Sequence, residues 1–227
     1  MIALTIFQYA RPKQAMRDAI HALQYLHSKD IVHCDIKPAN WLVDGEDDKA
    51  VIKLADFGMA VTSDAKEVVG GSPVYMAPEH LLAWRDLTGD FDHRSDIYSL
   101  GVVLYELLMG YLPYEVLEAN KADQNAALLE SEDEAYQSLA TEFFGLSVSD
   151  PSSDEDRGFP VLDLRKLNDT SSDEPFYIPP PIFVEEISME AQDLIMRLME
   201  PSASKRITLE EALQHDWFSK TLKTAAV

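Results

Sequence analysis

The chain has 227 residues, of which 46% are hydrophobic and 26% charged, so it is long enough for one substantial domain with a sizeable core. Its formal net charge of -21 argues against a surface for nucleic acid or for an anionic membrane, because both favour basic patches. The single cysteine, Cys34, excludes an internal disulfide and indicates a reducing compartment, so we expect a cytoplasmic protein, with the nucleus as the alternative.

The first periodic segment covers residues 13 to 28. Its apolar residues recur at helical spacing and its polar residues occupy the other face, which predicts an amphipathic helix ending near Ser28. We expect the two histidines of this helix, His21 and His27, to be packed or solvated without a catalytic task. The apolar residues 1–7 lack a basic flank and a cleavage site and are too short to span a bilayer, so we expect a core segment.

Residues 33 to 58 combine polar motifs with two short apolar strands. Asp44 and Gly45 begin a polar turn between the strands, and this pair suits the positive φ of a hairpin. Folding the hairpin brings Asp35, Asn40 and Asp56 toward one edge. Phosphoryl transfer needs such a group of carboxylates, a cation and oxygen ligands for Mg²⁺. In order, the segment contains His33-x-Asp35-x-Lys37-Pro38-x-Asn40, strands at 41–43 and 51–54, and Asp56-Phe57-Gly58.

Residues 59 to 76 form a loop of small and polar residues, and Ala77-Pro78-Glu79 follows it. The next element, Ser95 to Met109, is apolar on nearly every face. We predict a buried helix with Ser95 as its N-cap and Gly110 as its C-terminal stop.

The segment from 115 to 181 is acidic and rich in Ser, Asp and Glu in two places, 147–158 and 168–175. We predict a partly disordered insertion that could dock a basic partner. After it, Ser188 is expected to cap a helix that Pro201 closes. A capping box from Thr208 to Glu211 is expected to open a last helix that runs through Leu213 to Trp217 and Phe218.

Three of these motifs, in this order, resemble the catalytic loop, the metal-binding segment and the Ala-Pro-Glu of eukaryotic protein kinases, and Lys37 is similar to the serine/threonine-specific version. The resemblance extends from about residue 13 to 219. It implies a mainly α fold with a small β-hairpin, like the C-terminal lobe of the α+β kinase fold. It also implies transfer of the ATP γ-phosphate to serine or threonine hydroxyls of a protein substrate, with Mg²⁺.

The resemblance gives each motif residue a role. It makes Asp35 the catalytic base, Lys37 the γ-phosphate contact, and Asn40 and Asp56 the Mg²⁺ ligands. The residues expected to bind ATP are Lys37, Asn40, Leu42 and Asp56. Ser72 and Tyr75 lie in the part, residues 70–76, that is expected to receive the peptide. Structural roles fall to His33, Phe57, Gly58, Glu79, Asp96 and Arg206: Asp96 would hold the catalytic-loop backbone, and Arg206 would pair with Glu79.

The sequence departs from the resemblance at Cys34, where many kinases carry an arginine that pairs with a phosphate on the activation loop. A thiol cannot make that ion pair. We therefore expect phosphorylation of Thr62, Ser63 or Ser72 not to be the main switch. Ser72 replaces the usual threonine but keeps its hydroxyl.

The sequence contains no G-x-G-x-x-G, and only Lys13 and Lys29 precede the catalytic motif. We therefore expect residues 1–227 to form a partial kinase domain, the C-terminal lobe, with residues 115–181 as an insertion. One interpretation is a truncated serine/threonine kinase. A second is a non-catalytic scaffold or binding module made of this lobe. A third is a small-molecule phosphotransferase, against which the peptide-receiving segment argues.

Overall fold

The computed structural model describes residues 12–45, 50–62, 64, 70–86, 91–113, 115–116, 161–162, 181, 183 and 187–219. In these ranges the fold is mostly helical. The α-helices are α1 Pro12–His27, α2 Pro78–Asp86, α3 Arg94–Met109, α4 Met189–Leu198, α5 Leu209–Leu213 and α6 Asp216–Ser219. The strands are β1 Ile31–Val32, β2 Trp41–Asp44, β3 Val51–Leu54, β4 Val61–Thr62, β5 Glu115–Val116 and β6 Val161–Leu162, and short 3-10 helices cover Pro38–Asn40 and Pro73–Tyr75.

Helix α1 confirms the first predicted element to within one residue at each end. Proline is favourable at its first position, where no N–H is needed. Its apolar stripe is buried, as helical spacing predicts. The buried residues are Ala15, Met16, Ala19, Ile20, Leu23 and Leu26.

Strands β2 and β3 form the predicted antiparallel hairpin, with Trp41 opposite Leu54 and Asp44 opposite Val51. Gly45 has φ 102°, as the turn requires, and residues 46–49 of the turn lie outside the described ranges. The carboxylate of Asp18 on α1 accepts a hydrogen bond from the Ile52 N–H at 3.0 Å. The hairpin is therefore fixed to the first helix.

Helix α3 is buried along most of its length, and Gly110 ends it in the left-handed conformation predicted for it, with φ 79°. The prediction that Ser95 is the N-cap is wrong, because the helix begins at Arg94. Asp92 satisfies the first turn instead: its carboxylate accepts from the Arg94 N–H at 2.8 Å, and its carbonyl accepts from the Ser95 N–H.

Helices α3 and α4 pack closely where α3 has no side chain. A Cβ built on Gly101 would lie 2.7 Å from Cγ of Met199 and 2.8 Å from Cβ of Leu198. Helix α4 begins as predicted, because the Ser188 hydroxyl accepts from the Ala191 N–H at 3.2 Å.

The predicted capping box is present at the start of α5, between Thr208 and Glu211. The prediction of one helix running on to Trp217 and Phe218 is wrong, because α5 ends at Leu213 and α6 begins at Asp216. The ring of His215 accepts a hydrogen bond from the Trp217 N–H at 3.2 Å, and so starts a new helix by occupying a donor of its first turn.

Helices α1 and α6 are joined directly. The guanidinium of Arg17 donates to the carbonyl of Phe218 at 3.1 Å and lies 5.1 Å from the centroid of its ring. The first and last described helices therefore share one contact surface.

Of the predicted acidic insertion at 115–181, the structure describes β5, β6 and Pro181, and the rest lies outside the described ranges. β5 and β6 pair in parallel. The predicted core segment at residues 1–7 also lies outside them. Within the described ranges, each helix falls short of the length and apolar character needed to cross a membrane.

Candidate active site

The side chains of Asp35, Lys37 and Ser72 meet in one hydrogen-bonded group. The Ser72 hydroxyl donates to Oδ1 of Asp35 at 2.8 Å and accepts from Nζ of Lys37 at 2.8 Å. Nζ of Lys37 also lies 3.5 Å from Oδ2 of Asp35. The group joins the motif loop (residues 33–40) to the segment 70–76, so two parts of the chain more than thirty residues apart are fixed against each other.

Asn40 supports the same carboxylate from the end of the motif loop. Its Nδ2 donates to the Asp35 carbonyl at 2.8 Å and to Oδ2 of Asp35 at 2.9 Å. Both bonds use the amide nitrogen, so neither uses the acceptor lone pairs of the Asn40 side-chain oxygen. Asn40 therefore both orients Asp35 and offers an oxygen ligand.

Asp96 holds the backbone of the motif loop from the first turn of α3. Its two carboxylate oxygens accept from the N–H groups of His33 at 2.9 Å and Cys34 at 3.0 Å. Cys34 adopts a left-handed conformation, with φ 68°, which is unusual for a residue with a side chain. His27, which was predicted to be packed or solvated without a catalytic task, also contacts Asp96, with Nε2 2.9 Å from Oδ2.

His33 connects the motif loop to the segment that carries Asp56. Its Nδ1 accepts from the Asp35 N–H at 3.3 Å, so its Nε2 carries the proton and donates to the carbonyl of Ala55 at 3.1 Å. Its ring lies 5.2 Å from that of Phe57. His33 therefore connects the motif loop to the segment Asp56-Phe57-Gly58 and holds the two at a fixed separation.

Asp56 is adjacent to Asn40 through the backbone, because the Ala55 N–H donates to the Asn40 carbonyl at 2.8 Å. It has φ 60°, and one carboxylate oxygen accepts from the Gly58 N–H at 3.2 Å. A carboxylate and an amide oxygen at this edge suit Mg²⁺, which is commonly held by one or two such ligands together with phosphate and water. Among the described residues there is no group of three or more His, Cys, Asp or Glu side chains that could hold a metal by itself.

Near these polar groups the chain exposes large apolar side chains. Leu42 on β2 is 40% exposed, Phe57 is 49% exposed and Met59 is 42% exposed. Most apolar side chains of this size are buried among the described residues, so each of these three is exposed for contact with an apolar ring or with another protein.

Tyr75 does not join the Asp35 group, and its hydroxyl donates to the carboxylate of Glu106 on α3 at 2.7 Å. Burial raises the pKa of Glu106 to about 7, while the bond from Tyr75 acts in the opposite direction. Glu106 is not among the residues predicted from the sequence. A signal was available, since Glu106 is an acidic residue within a helix that is otherwise apolar on nearly every face.

Two more predicted residues form a separate pair. Glu79 at the start of α2 and Arg206 before α5 make the predicted ion pair.

Gly58 lies beside Asp56, where an added Cβ would come within 3.1 Å of Oδ1 of Asp56. The structure thus brings Asp35, Lys37, Asn40 and Ser72 together, places Asp56 beside them, and leaves Tyr75, Glu79 and Arg206 in supporting contacts.

The site and the order of its motifs match a known family. A family profile described as "Protein kinase domain" matches residues 3–218. The chain therefore belongs to the eukaryotic protein kinase superfamily.

Three of its curated relatives are named as serine/threonine-protein kinases. MAP kinase-interacting serine/threonine-protein kinase 2 of Xenopus laevis is 31% identical over 213 residues, which are 89% of this chain and 39% of that protein. Human serine/threonine-protein kinase ULK3 is 31% identical over 205 residues, 89% of this chain and 32% of its own length. Human serine/threonine-protein kinase DCLK3 is 30% identical over 217 residues, which are 92% of this chain and 25% of that protein. The chain thus spans about a quarter to two fifths of the length of these relatives.

Proposed function

We propose that this chain provides the catalytic and peptide-binding part of a Mg·ATP-dependent serine/threonine protein kinase. The observation that supports it most is the position of Ser72, whose hydroxyl is bonded to both Asp35 and Lys37. That contact places the segment 70–76 beside a carboxylate suited to act as a base. A small-molecule phosphotransferase has no need of such a segment.

Asp35 is the proposed base. Its Oδ1 accepts from Ser72 and its Oδ2 from Asn40, and each carboxylate oxygen can accept a second hydrogen bond. A substrate hydroxyl can therefore donate to Asp35 without displacing either neighbour, and Asp35 takes up its proton. Positioning of this kind is the main work of a phosphoryl-transfer site.

Lys37, Asn40 and Asp56 are the proposed contacts for the nucleotide and its metal. Bound Mg·ATP would supply the transferred phosphoryl group and a cation that neutralises its charge. Nζ of Lys37 provides a positive charge next to the base, and the oxygens of Asn40 and Asp56 provide hard ligands. The exposed side chain of Leu42 provides an apolar surface for the base of the nucleotide.

The motifs in this chain correspond to the C-terminal lobe of the kinase fold, and we propose that lobe as its structural unit.

The exposed side chains of Leu42, Phe57 and Met59 support a second candidate function, a non-catalytic scaffold whose apolar surface binds another protein. We further propose that the acidic insertion at 115–181, with 16 acidic and 4 basic side chains, binds a basic partner, and that the protein works in a reducing compartment.

The test is transfer from radiolabelled ATP to a mixture of serine and threonine peptides, with and without Mg²⁺. We expect Asp35→Asn to lower the rate at least about 100-fold, the range of a lost general base. Asp44→Asn is the matched control, because Asp44 is an exposed carboxylate on β2 paired with Lys53, and it should leave the rate unchanged. A wild-type chain that neither binds Mg·ATP nor transfers phosphate would favour the scaffold.

A further inference from the structure

The contact between Ser72 and Asp35 depends on how the segment 70–76 is seated on the motif loop. Ser72 is buried, and its short side chain allows little adjustment of its hydroxyl. The residue before it, Gly71, packs directly on the motif loop. A Cβ built on Gly71 would lie 2.5 Å from the carbonyl oxygen of Cys34.

The need for glycine at 71 is spatial and not conformational. The described glycines with positive φ are Gly45 and Gly110, so Gly71 does not have the left-handed φ that favours glycine. The second close atom is the terminal methyl of Met76, at 2.8 Å, which can move because its side chain is flexible. The carbonyl of Cys34 is main chain and cannot move alone.

Hydrogen bonds hold the main chain on both sides of the Cys34 carbonyl. The N–H groups of His33 and Cys34 donate to the two carboxylate oxygens of Asp96. The Asp35 N–H, which belongs to the same peptide as the Cys34 carbonyl, donates to Nδ1 of His33 at 3.3 Å. Cys34 itself has a left-handed φ of 68°. A residue held in that conformation is over-determined by its surroundings. An added side chain at 71 must therefore displace the segment 70–76 and not the motif loop.

We propose that Gly71 is a positioning residue, which holds the Ser72 hydroxyl on Asp35 and Lys37 by packing its bare Cα against the carbonyl of Cys34. This inference rests on the proposed kinase function. The contact involves no charged group, so it seats the segment without a phosphate. That agrees with the expectation drawn from Cys34, which cannot pair with one.

The test compares Gly71→Ala with Gly70→Ala, an adjacent glycine where, among the described residues, an added Cβ would meet only Nε1 of Trp84 at 3.8 Å, an ordinary contact. Both substitutions restrict the unfolded chain equally, so that effect cancels. Crystal structures of the two variants should show the Ser72 hydroxyl beyond hydrogen-bond distance of Asp35 in Gly71→Ala and at its original distance in Gly70→Ala. An intact bond in Gly71→Ala would overturn the proposal, whether or not the chain is active.

Kinetics give the second readout. We expect Gly71→Ala to lower kcat about 10- to 100-fold, as a misplacement of about 1 Å can do, with little change in the KM for ATP. If Gly71 acts through Ser72, adding Gly71→Ala to Ser72→Ala should cause no further loss of kcat. Additive losses of kcat in the double variant would overturn the proposal. So would a melting temperature of the Gly71→Ala protein far below that of the Gly70→Ala protein, since the clash would then disturb the core and not only the segment 70–76. If the wild type transfers no phosphate, the proposed function fails, while the two crystal structures still decide the role of Gly71.

Discussion

Arg206 donates to both carboxylate oxygens of Glu79, from Nη1 to Oε1 at 2.6 Å and from Nη2 to Oε2 at 3.0 Å, across 127 residues of sequence. The arginine side chain is fully buried and also donates to the carbonyls of Arg94 and Glu200. Breaking such a pair leaves a charge without its partner. We expect Arg206→Ala to lower the free energy of unfolding by about 3 to 5 kcal/mol, measured by urea denaturation.

The matched control for Arg206 is Arg197→Ala. Arg197 pairs with Asp193 on the surface of α4, where its side chain is 59% exposed. Exposed pairs contribute about 0 to 1 kcal/mol, so this variant should unfold close to the wild type. Equal stability of the two variants would show that the buried pair of Arg206 and Glu79 contributes no more to the free energy of unfolding than the exposed pair.

Glu106 should make stability depend on pH. Its pKa is near 7 in the folded chain and 4.5 as the ordinary value, so between those pH values the folded chain keeps a proton that the unfolded chain has lost. Stability therefore falls as pH rises through this window, by at most about 3 kcal/mol. Glu106→Gln cannot ionise, so the wild type should lose stability relative to this variant between pH 4.5 and 7 in urea titrations.

The Tyr75 hydroxyl favours the ionised form of Glu106, so Tyr75→Phe should raise the pKa of Glu106 and extend the window to higher pH. A constant stability difference between wild type and Glu106→Gln from pH 4.5 to 7 would refute the assignment of this titration to Glu106.

Cys34 should react slowly. Burial, and after it the negative charge of Asp96, raise the pKa of the Cys34 thiol, and the thiolate is the reactive form. Because Cys34 is the single cysteine, labelling with a thiol reagent at pH 8 reports on it alone. We expect labelling at least about 100-fold slower than in urea, given the raised pKa and the lack of access.

The control for Cys34 is a Cys34→Ala, Met59→Cys protein, which moves the thiol to an exposed position. It should label rapidly without denaturant. Rapid labelling of the wild type would show that the motif loop opens readily.

Gly101 should not tolerate a side chain. An added methyl group would press on the main chain of Leu198, whose carbonyl carbon lies 3.2 Å from the built Cβ. Overpacking of this kind destabilises by about 1 to 3 kcal/mol, more than the gain of about 1 kcal/mol from the better helix propensity of alanine. Gly101→Ala should therefore unfold at lower urea concentration. A more stable variant would mean that α3 and α4 separate easily.

Features that depend on neighbouring residues could be predicted from the sequence. The hairpin from Trp41 to Leu54, the left-handed Gly110 and the capping box at Thr208 each need only a short stretch of chain, and each is present. The order of the polar motifs also predicted that Asp35, Asn40 and Asp56 lie at one edge, because a short hairpin joins Asn40 to Asp56.

Features that depend on competition or on distant contacts could not be predicted. Asp92 and Ser95 are both good capping residues, and the sequence does not show which one reaches the free N–H groups. The break before Asp216 depends on the ring of His215. The contacts of Glu106 with Tyr75 and of Gly71 with Cys34 join parts of the chain whose separation is set by the whole fold.

The hydrogen bond from Arg17 to the Phe218 carbonyl joins residues 201 positions apart, so the two partners are synthesised at different times. At about 5 to 20 residues per second, a ribosome adds Phe218 roughly 10 to 40 s after Arg17. During that time α1 lacks the surface formed by α6, and part of its side is open to water and to other nascent chains. Chaperones that shield helical segments during translation should therefore bind this protein early and release it only when α6 has emerged.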